Sequence, residues 1–277
     1  MKKGSVFQRM AAAPHIVWMV MFIVAPMLFV LYFAFTETNE EGKIIFSLSN
    51  IASLTQYTNV FILSIAFALI ATVVCLIIGY PLAYFMSRTS PRTQKILMVL
   101  VMLPMWCNLL IRTYALMALL DNGGLLNSAL DALGIGKLYI VGSDAGVILG
   151  MVYDFLPYMV LPIFTTMTKL DRRYIEAAQD LGCNSIQTMT KVIMPLTVSG
   201  VISGITMVFV PSISTFYISQ KLGAGKIDLI GDTIERLFKN ETTRNVGAAI
   251  SLVMMVLILI SVWIMNKFSD DEGGIIV

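Results

Sequence analysis

The chain has 277 residues, of which 57% are hydrophobic and only 13% charged, and its mean hydropathy is +0.83. A soluble domain is about half apolar and about a quarter charged, so this composition excludes an ordinary cytosolic enzyme, a disordered chain and a nucleic-acid binder, and indicates a polytopic membrane protein. The net charge of +2 is close to balance, so only the positions of the charges carry information.

Lys2, Lys3 and Arg9 precede an apolar run over 16–35. The run is longer than a signal-peptide core and no A-x-A site follows it, so it reads as a retained spanning helix. His15 at its border reads as an interface residue, because one histidine and no CxxC leave little material for a metal site. A spanning helix needs about 20 mainly apolar residues. Further runs qualify at 62–86, 96–120, 146–167, 198–218 and 247–265. The expectation is an all-α membrane protein with six transmembrane helices. Pro26, Pro81, Pro104, Pro157, Pro162 and Pro211 interrupt these runs. Such breaks serve either a water-filled path or bundle packing alone. Cys75 and Cys107 lie in apolar runs and Cys183 in a polar loop, with no zinc-ligand or redox spacing.

Orientation follows from the loops. With the N-terminus in the cytoplasm, the inner segments hold Lys2, Lys3, Arg9, Arg88, Arg92, Lys95, Lys169, Arg172, Arg173, Lys191 and Lys267. The outer segments hold fewer bases: Lys43, Lys137, Lys221, Lys226, Arg236, Lys239 and Arg244. Both termini are therefore expected inside. The outer face also carries Glu37, Glu40, Glu41, Asp121, Asp131, Asp144, Asp228, Asp232, Glu235 and Glu241. It is net negative, which suits a cationic solute or a basic docking partner, or is simply solvated.

The inner segment 168–197 is long for a connection in a compact bundle. Asp171 is placed to cap a helix in which Tyr174, Ala177, Ala178 and Leu181 form a short apolar face. Gly182 ends that helix. A second amphipathic stretch follows, with Ile186, Met189, Val192 and Ile193 on one side and Pro195 closing it. Glu176-Ala177-Ala178, then Gly182, then Val192-Ile193-Met194-Pro195 resembles the EAA loop of ATP-binding-cassette importer permeases: E-A-A, three residues, G, nine residues, I-x-L-P. Val192 stands for the Ile and Met194 for the Leu. The likeness extends over a core of residues 61–265, leaving 1–60 as tail, first helix and outer loop, and 266–277 as a cytoplasmic tail.

The resemblance implies a type I importer permease fold in which Glu176, Ala177, Ala178, Asp180, Leu181, Gly182 and Pro195 belong to a cytoplasmic coupling helix docked on a separate ATPase. Four strings are similar to the spermidine/putrescine permeases of that family. They are Pro104-Met105-Trp106-Cys107-Asn108-Leu109-Leu110-Ile111-Arg112-Thr113-Tyr114, Tyr153-Asp154-Phe155-Leu156-Pro157-Tyr158, Glu176-Ala177-Ala178-Gln179-Asp180-Leu181-Gly182 and Phe216-Tyr217-Ile218-Ser219. This likeness implies a polyamine solute, a second homologous permease chain, two copies of a cytoplasmic ATP-binding subunit and an extracytoplasmic substrate-binding protein. ATP and magnesium then belong to the partner ATPase, with no cofactor or catalytic residue on this chain. The implied location is a bacterial inner membrane. Permeases for iron, sulfate or amino acids share the fold and the loop.

Arg112 and Asp154 fall well inside spans, each eight residues from the outer end and so roughly 12 Å deep. Matched depth on consecutive antiparallel helices makes an ion pair feasible, either as structural glue or with Asp154 attracting a substrate ammonium. Trp106, Asn108, Tyr114, Tyr158, Phe216 and Tyr217 complete the candidate pathway, the aromatics as a cation–π lining or as interface anchors. Gly223-Ala224-Gly225-Lys226 fails as a phosphate loop, since Gln220 and Ile227 occupy required Gly and Ser/Thr positions. A secondary transporter is the other class to weigh, but it would carry repeated halves and more intramembrane acids.

Overall fold

The computed structural model describes residues 14–38 and 43–273, with residues 38, 266 and 268–273 described by backbone alone. Lys2, Lys3, Arg9, Glu40 and Glu41 lie outside the described residues. In chain order the elements are α1 (Pro14–Ala34), β1 (Thr36–Thr38), β2 (Ile44–Phe46), α2 (Ser49–Arg88), α3 (Pro91–Trp106), α4 (Leu109–Leu120), α5 (Leu125–Ala132) and α6 (Asp144–Thr168). They continue with α7 (Arg172–Asp180), α8 (Ser185–Leu196), α9 (Val198–Ser214), α10 (Tyr217–Leu222), α11 (Ile230–Phe238) and α12 (Arg244–Gly273). Among the described residues, Pro14–Ala34, Ser49–Arg88, Leu109–Ala132, Asp144–Thr168 and Arg244–Met265 are long and apolar enough to cross a membrane. The count of 5 rises to 6 if α8 and α9, bent by 68°, form one broken span.

Local chemistry sets the helix starts. Ser90, Asn108, Ser143 and Asp171 each cap a helix by accepting from a backbone N–H in its first turn. Asn184 and Gln187 form a reciprocal capping box at the start of α8. Proline is accommodated by widening the ladder. In α1 a π-turn at Val20–Val24 precedes Pro26, with the Ala25 N–H donating to the Val20 carbonyl. The same device precedes Pro195, where the Met194 N–H donates to the Met189 carbonyl.

The chain divides into two compact units. The larger comprises Asn59–Asp232 and Ile258–Val277. Its core is centred on α6, where Val147, Met151, Met159, Val160 and Ile163 are fully buried. α9 lies close against α6 because Gly200 and Gly204, one turn apart, remove the side chains that would hold the helices apart. A Cβ on Gly204 would meet the Met159 sulfur at 2.7 Å and its carbonyl oxygen at 3.1 Å. Gly204→Val is therefore expected to destabilise the unit by about 1–3 kcal/mol, the usual cost of overpacking. Thermal unfolding of the purified complex measures this as a lower midpoint than wild type.

The smaller unit comprises Met1–Thr58 and Thr233–Leu257. Ala34, Ala248 and Ala249 are buried together, flanked by Phe33, Phe35, Ile51 and Leu252. β1 and β2 form an antiparallel hairpin with Thr36 opposite Phe46. Phe35 stacks on Phe46 with centroids 5.8 Å apart. Asn50 and Asn245 both donate to the Thr36 carbonyl, at 2.9 and 2.7 Å.

The chain is mostly helical as expected, with a short hairpin after α1 held by these amides and the stacked rings. Three sequence expectations need correction. The run 96–120 is not one helix: Cys107 and Asn108 are extended, and the Asn108 side chain takes the Leu110 N–H at 2.8 Å, starting α4 afresh. The run 198–218 breaks after Ser214 at an extended Thr215. Pro195 does not close the second coupling-loop helix, which runs to Leu196 through the π-turn and bends at Thr197.

Candidate translocation and coupling sites

The segment 168–197 is a helical hairpin. α7 is capped by Asp171 and ends in a Schellman turn, in which the Gly182 N–H donates to the Gln179 carbonyl (2.9 Å) and the Cys183 N–H to the Ala178 carbonyl (3.0 Å). Gly182 has φ +80°, and nothing in this chain lies within 4 Å of where its Cβ would stand. Ala178 is the residue of α7 that turns inward, at 6% exposure. Glu176, Ala177, Asp180, Leu181, Gly182 and Pro195 are exposed, Leu181 to 85%. Apolar Tyr174 and Ile186 are exposed beside them. The hairpin connects to the spans through Thr197, whose hydroxyl donates to the Ile193 carbonyl (2.8 Å) and lies 3.0 Å from the Tyr80 hydroxyl of α2.

Arg112 and Asp154 meet. Arg112 Nε pairs with Asp154 Oδ1, and both side chains are nearly inaccessible, at 8% and 1% exposure. Arg112 also donates from Nη1 to the Pro104 carbonyl at 3.0 Å. That carbonyl belongs to the last turn of α3 and also accepts from the Cys107 N–H at 3.1 Å. The Arg112 guanidinium lies 5.9 Å from the Tyr153 ring centre, and Thr113 Oγ1 lies 3.4 Å from Asp154 Oδ2. One guanidinium thus ties α3, α4 and α6 together. This geometry favours the structural reading of the pair over a freely available acid.

Tyr114 and Tyr217 form a second cluster. Their rings meet edge to face, 5.9 Å apart at 78°. Lys221, one turn after Tyr217, places Nζ 4.9 Å from the Tyr114 centroid and 5.6 Å from that of Tyr217. The remaining pathway candidates are scattered. Tyr158 packs against Phe155 at 6.3 Å. Trp106 ends α3 and is exposed, Asn108 caps α4, and Phe216 precedes α10 and is exposed. Among the described residues the Trp106 and Phe216 side chains join neither cluster.

Sequence reasoning missed several partners. Lys221 was counted only as an outer-loop charge, although its i,i+4 spacing from Tyr217 is a legible signal. Asp232 was also counted as a solvated charge, yet it is buried. Its Oδ2 lies 2.6 Å from Ser219 Oγ and accepts from the Leu229 N–H at 3.0 Å. Burial pushes its carboxyl above the usual carboxylate range.

Residues 76–271 match the family described as binding-protein-dependent transport system inner membrane component. The chain belongs to this family. Its matched stretch contains the helical hairpin and both side-chain clusters. Among curated relatives, the spermidine/putrescine transport system permease protein PotB of Salmonella typhimurium (strain SL1344) is 36% identical over 284 residues, covering 98% of this chain and 99% of that protein. A bacterial ABC transporter for import of the acidic polysaccharide alginate has the same fold, with TM-score 0.75 at 18% identity, covering 96% of this chain and 95% of the other. A second structure of a bacterial alginate ABC transporter, in complex with an alginate pentasaccharide-bound periplasmic protein, matches with TM-score 0.71 at 18% identity, covering 95% and 93%. As a member of this inner-membrane permease family, the chain is a transport component whose named relative is a permease protein and not an enzyme.

Proposed function

We propose that this chain is a membrane-spanning subunit of an ATP-driven importer for spermidine and putrescine. The observation that carries the solute is the near full-length identity to permeases named for these polyamines. In this reading α8 and α9 form one broken span, giving six in all, with both termini in the cytoplasm. A second homologous permease completes the path, and an external binding protein delivers the solute. The periplasmic protein bound in the alginate transporter supports that partner class.

ATP and magnesium act on two copies of a separate ATPase. The exposed face of α7, with Glu176, Ala177, Asp180 and Leu181, is the surface it docks on. Closure of the ATPase dimer moves the hairpin. The bend at Thr197 and its contact with Tyr80 pass that motion to α9 and α2, alternating access between the two faces.

The decisive experiment is uptake of radiolabelled putrescine and spermidine by liposomes carrying the whole importer with its binding protein. The expected result is uptake that requires internal ATP and the binding protein. Uptake of iron, sulfate or an amino acid in place of polyamine would overturn the solute. Uptake without any ATPase would place the chain among secondary transporters.

A further inference from the structure

The Lys221 side chain is itself a primary ammonium on a four-carbon stem, the same chemistry as one end of a diamine. Its ammonium sits between two tyrosines from different helices, 4.9 and 5.6 Å from the ring centres, and donates to the Tyr114 hydroxyl. Both distances lie within the roughly 6 Å over which a ring quadrupole attracts a cation. Among the described residues Lys221 forms no ion pair. The two rings and the Tyr114 hydroxyl oxygen, to which Lys221 donates, are therefore the groups facing its charge.

The cage is rigid on one side and open on the other. α10 buries Ile218, Ser219 and Leu222 completely. A Cβ on Gly150 of α6 would meet Leu222 Cδ1 at 2.2 Å, so α10 sits hard against that helix. Ser219 is fixed by Asp232 at 2.6 Å. The opposite face of α10 presents Tyr217 and Lys221, and Tyr114 closes over them from α4 while remaining 46% exposed. A solute can therefore reach a preformed pair of rings, and the lysine, on a flexible stem, can leave it.

We infer that Tyr114 and Tyr217 form an acceptor for a primary alkylammonium group, and that Lys221 occupies it as a tethered surrogate until such a group displaces it. The tethered ammonium keeps the cage ordered when empty of solute and sets a threshold that a neutral or anionic molecule cannot cross. The physiological ligand, one end of a polyamine, rests on the reading in the preceding subsection. The ammonium site itself is testable without it.

The test uses the full-length chain purified with its partner chains, without the binding protein, and n-butylammonium and putrescine as probes in equilibrium binding. Lys221→Met removes the internal competitor and is expected to tighten n-butylammonium binding about three- to fivefold, the factor that an exposed cation–π contact supports. Lys221→Arg retains a competing cation and binds as wild type does. Combining Lys221→Met with Tyr114→Leu and Tyr217→Leu abolishes the gain, whereas the corresponding Tyr→Phe pair keeps part of it, because the ring faces remain and only the phenolic oxygens are lost. If the double leucine variant does not assemble, the single Tyr114→Leu change carries the comparison, since that residue is half exposed. Unchanged binding in Lys221→Met, or a gain that survives loss of both rings, overturns the inference. Failure of polyamine uptake in liposomes with n-butylammonium binding intact overturns the solute reading alone.

Discussion

Replacing Gly182 by valine is expected to abolish most polyamine uptake while ATP hydrolysis continues. Gly182 holds φ +80°, a left-handed conformation that costs an L-residue about 1–2 kcal/mol and a β-branched one more. That energy corresponds to roughly a five- to thirtyfold loss of the native turn. Nothing in this chain lies within 4 Å of a Cβ placed there, so the damage is expected to be confined to the hairpin. The effect is therefore on transmission and not on folding. Gly182→Asn tolerates the same backbone conformation and is expected to retain a large part of uptake. Paired measurements of ATP hydrolysis and solute uptake in liposomes separate the two. Normal uptake by a stably inserted Gly182→Val protein would remove the hairpin from the coupling pathway.

Asp154→Ala is expected to be the most damaging single change in the spans. It leaves the Arg112 guanidinium buried without its carboxylate. Breaking a buried pair in this way costs about 3–5 kcal/mol, whereas replacing both partners by apolar residues of similar volume is often close to neutral. The double variant Arg112→Met/Asp154→Leu is thus expected to recover assembled complex that Asp154→Ala loses, as measured by the yield and thermal midpoint of the purified protein. Recovery is incomplete because the tie that Arg112 makes to the α3 end at the Pro104 carbonyl is lost, although the Cys107 N–H still donates to that oxygen. The opposite pattern is equally readable. If Asp154→Asn assembles and hydrolyses ATP normally but transports nothing, the carboxylate acts on the solute.

The spans and the hairpin were legible because both leave one-dimensional marks. A bilayer imposes uninterrupted apolar length, and a helix that ends at a left-handed residue calls for glycine at one position. Asp171, Ala178 and Gly182 occupy the roles their spacing predicts. The break at Asn108 was less legible, since a single amide inside an apolar run reads equally well as a polar pathway residue. Its capping role appears only when the amide is seen bonded to Leu110. Pro195 misled in the other direction. Proline is expected to stop a helix, but a π-turn before it supplies the missing geometry.

Sequence by itself determined the apolar surroundings of this protein, its family, the helical hairpin at 168–197 and the pairing of Arg112 with Asp154. Those properties depend on composition, short-range spacing and rise per residue. Only the tertiary structure decided that Arg112 also holds the end of α3, that Asp232 is buried on Ser219 and that Lys221 lies between two rings. The first two join neighbours across a break between helices, 8 and 13 residues apart, and the third brings Lys221 to Tyr114 from a distant helix. The helix approaches themselves are set where Gly150 meets Leu222 and where Gly200 and Gly204 meet α6, an effect that depends on the partner helix and not on neighbours in sequence.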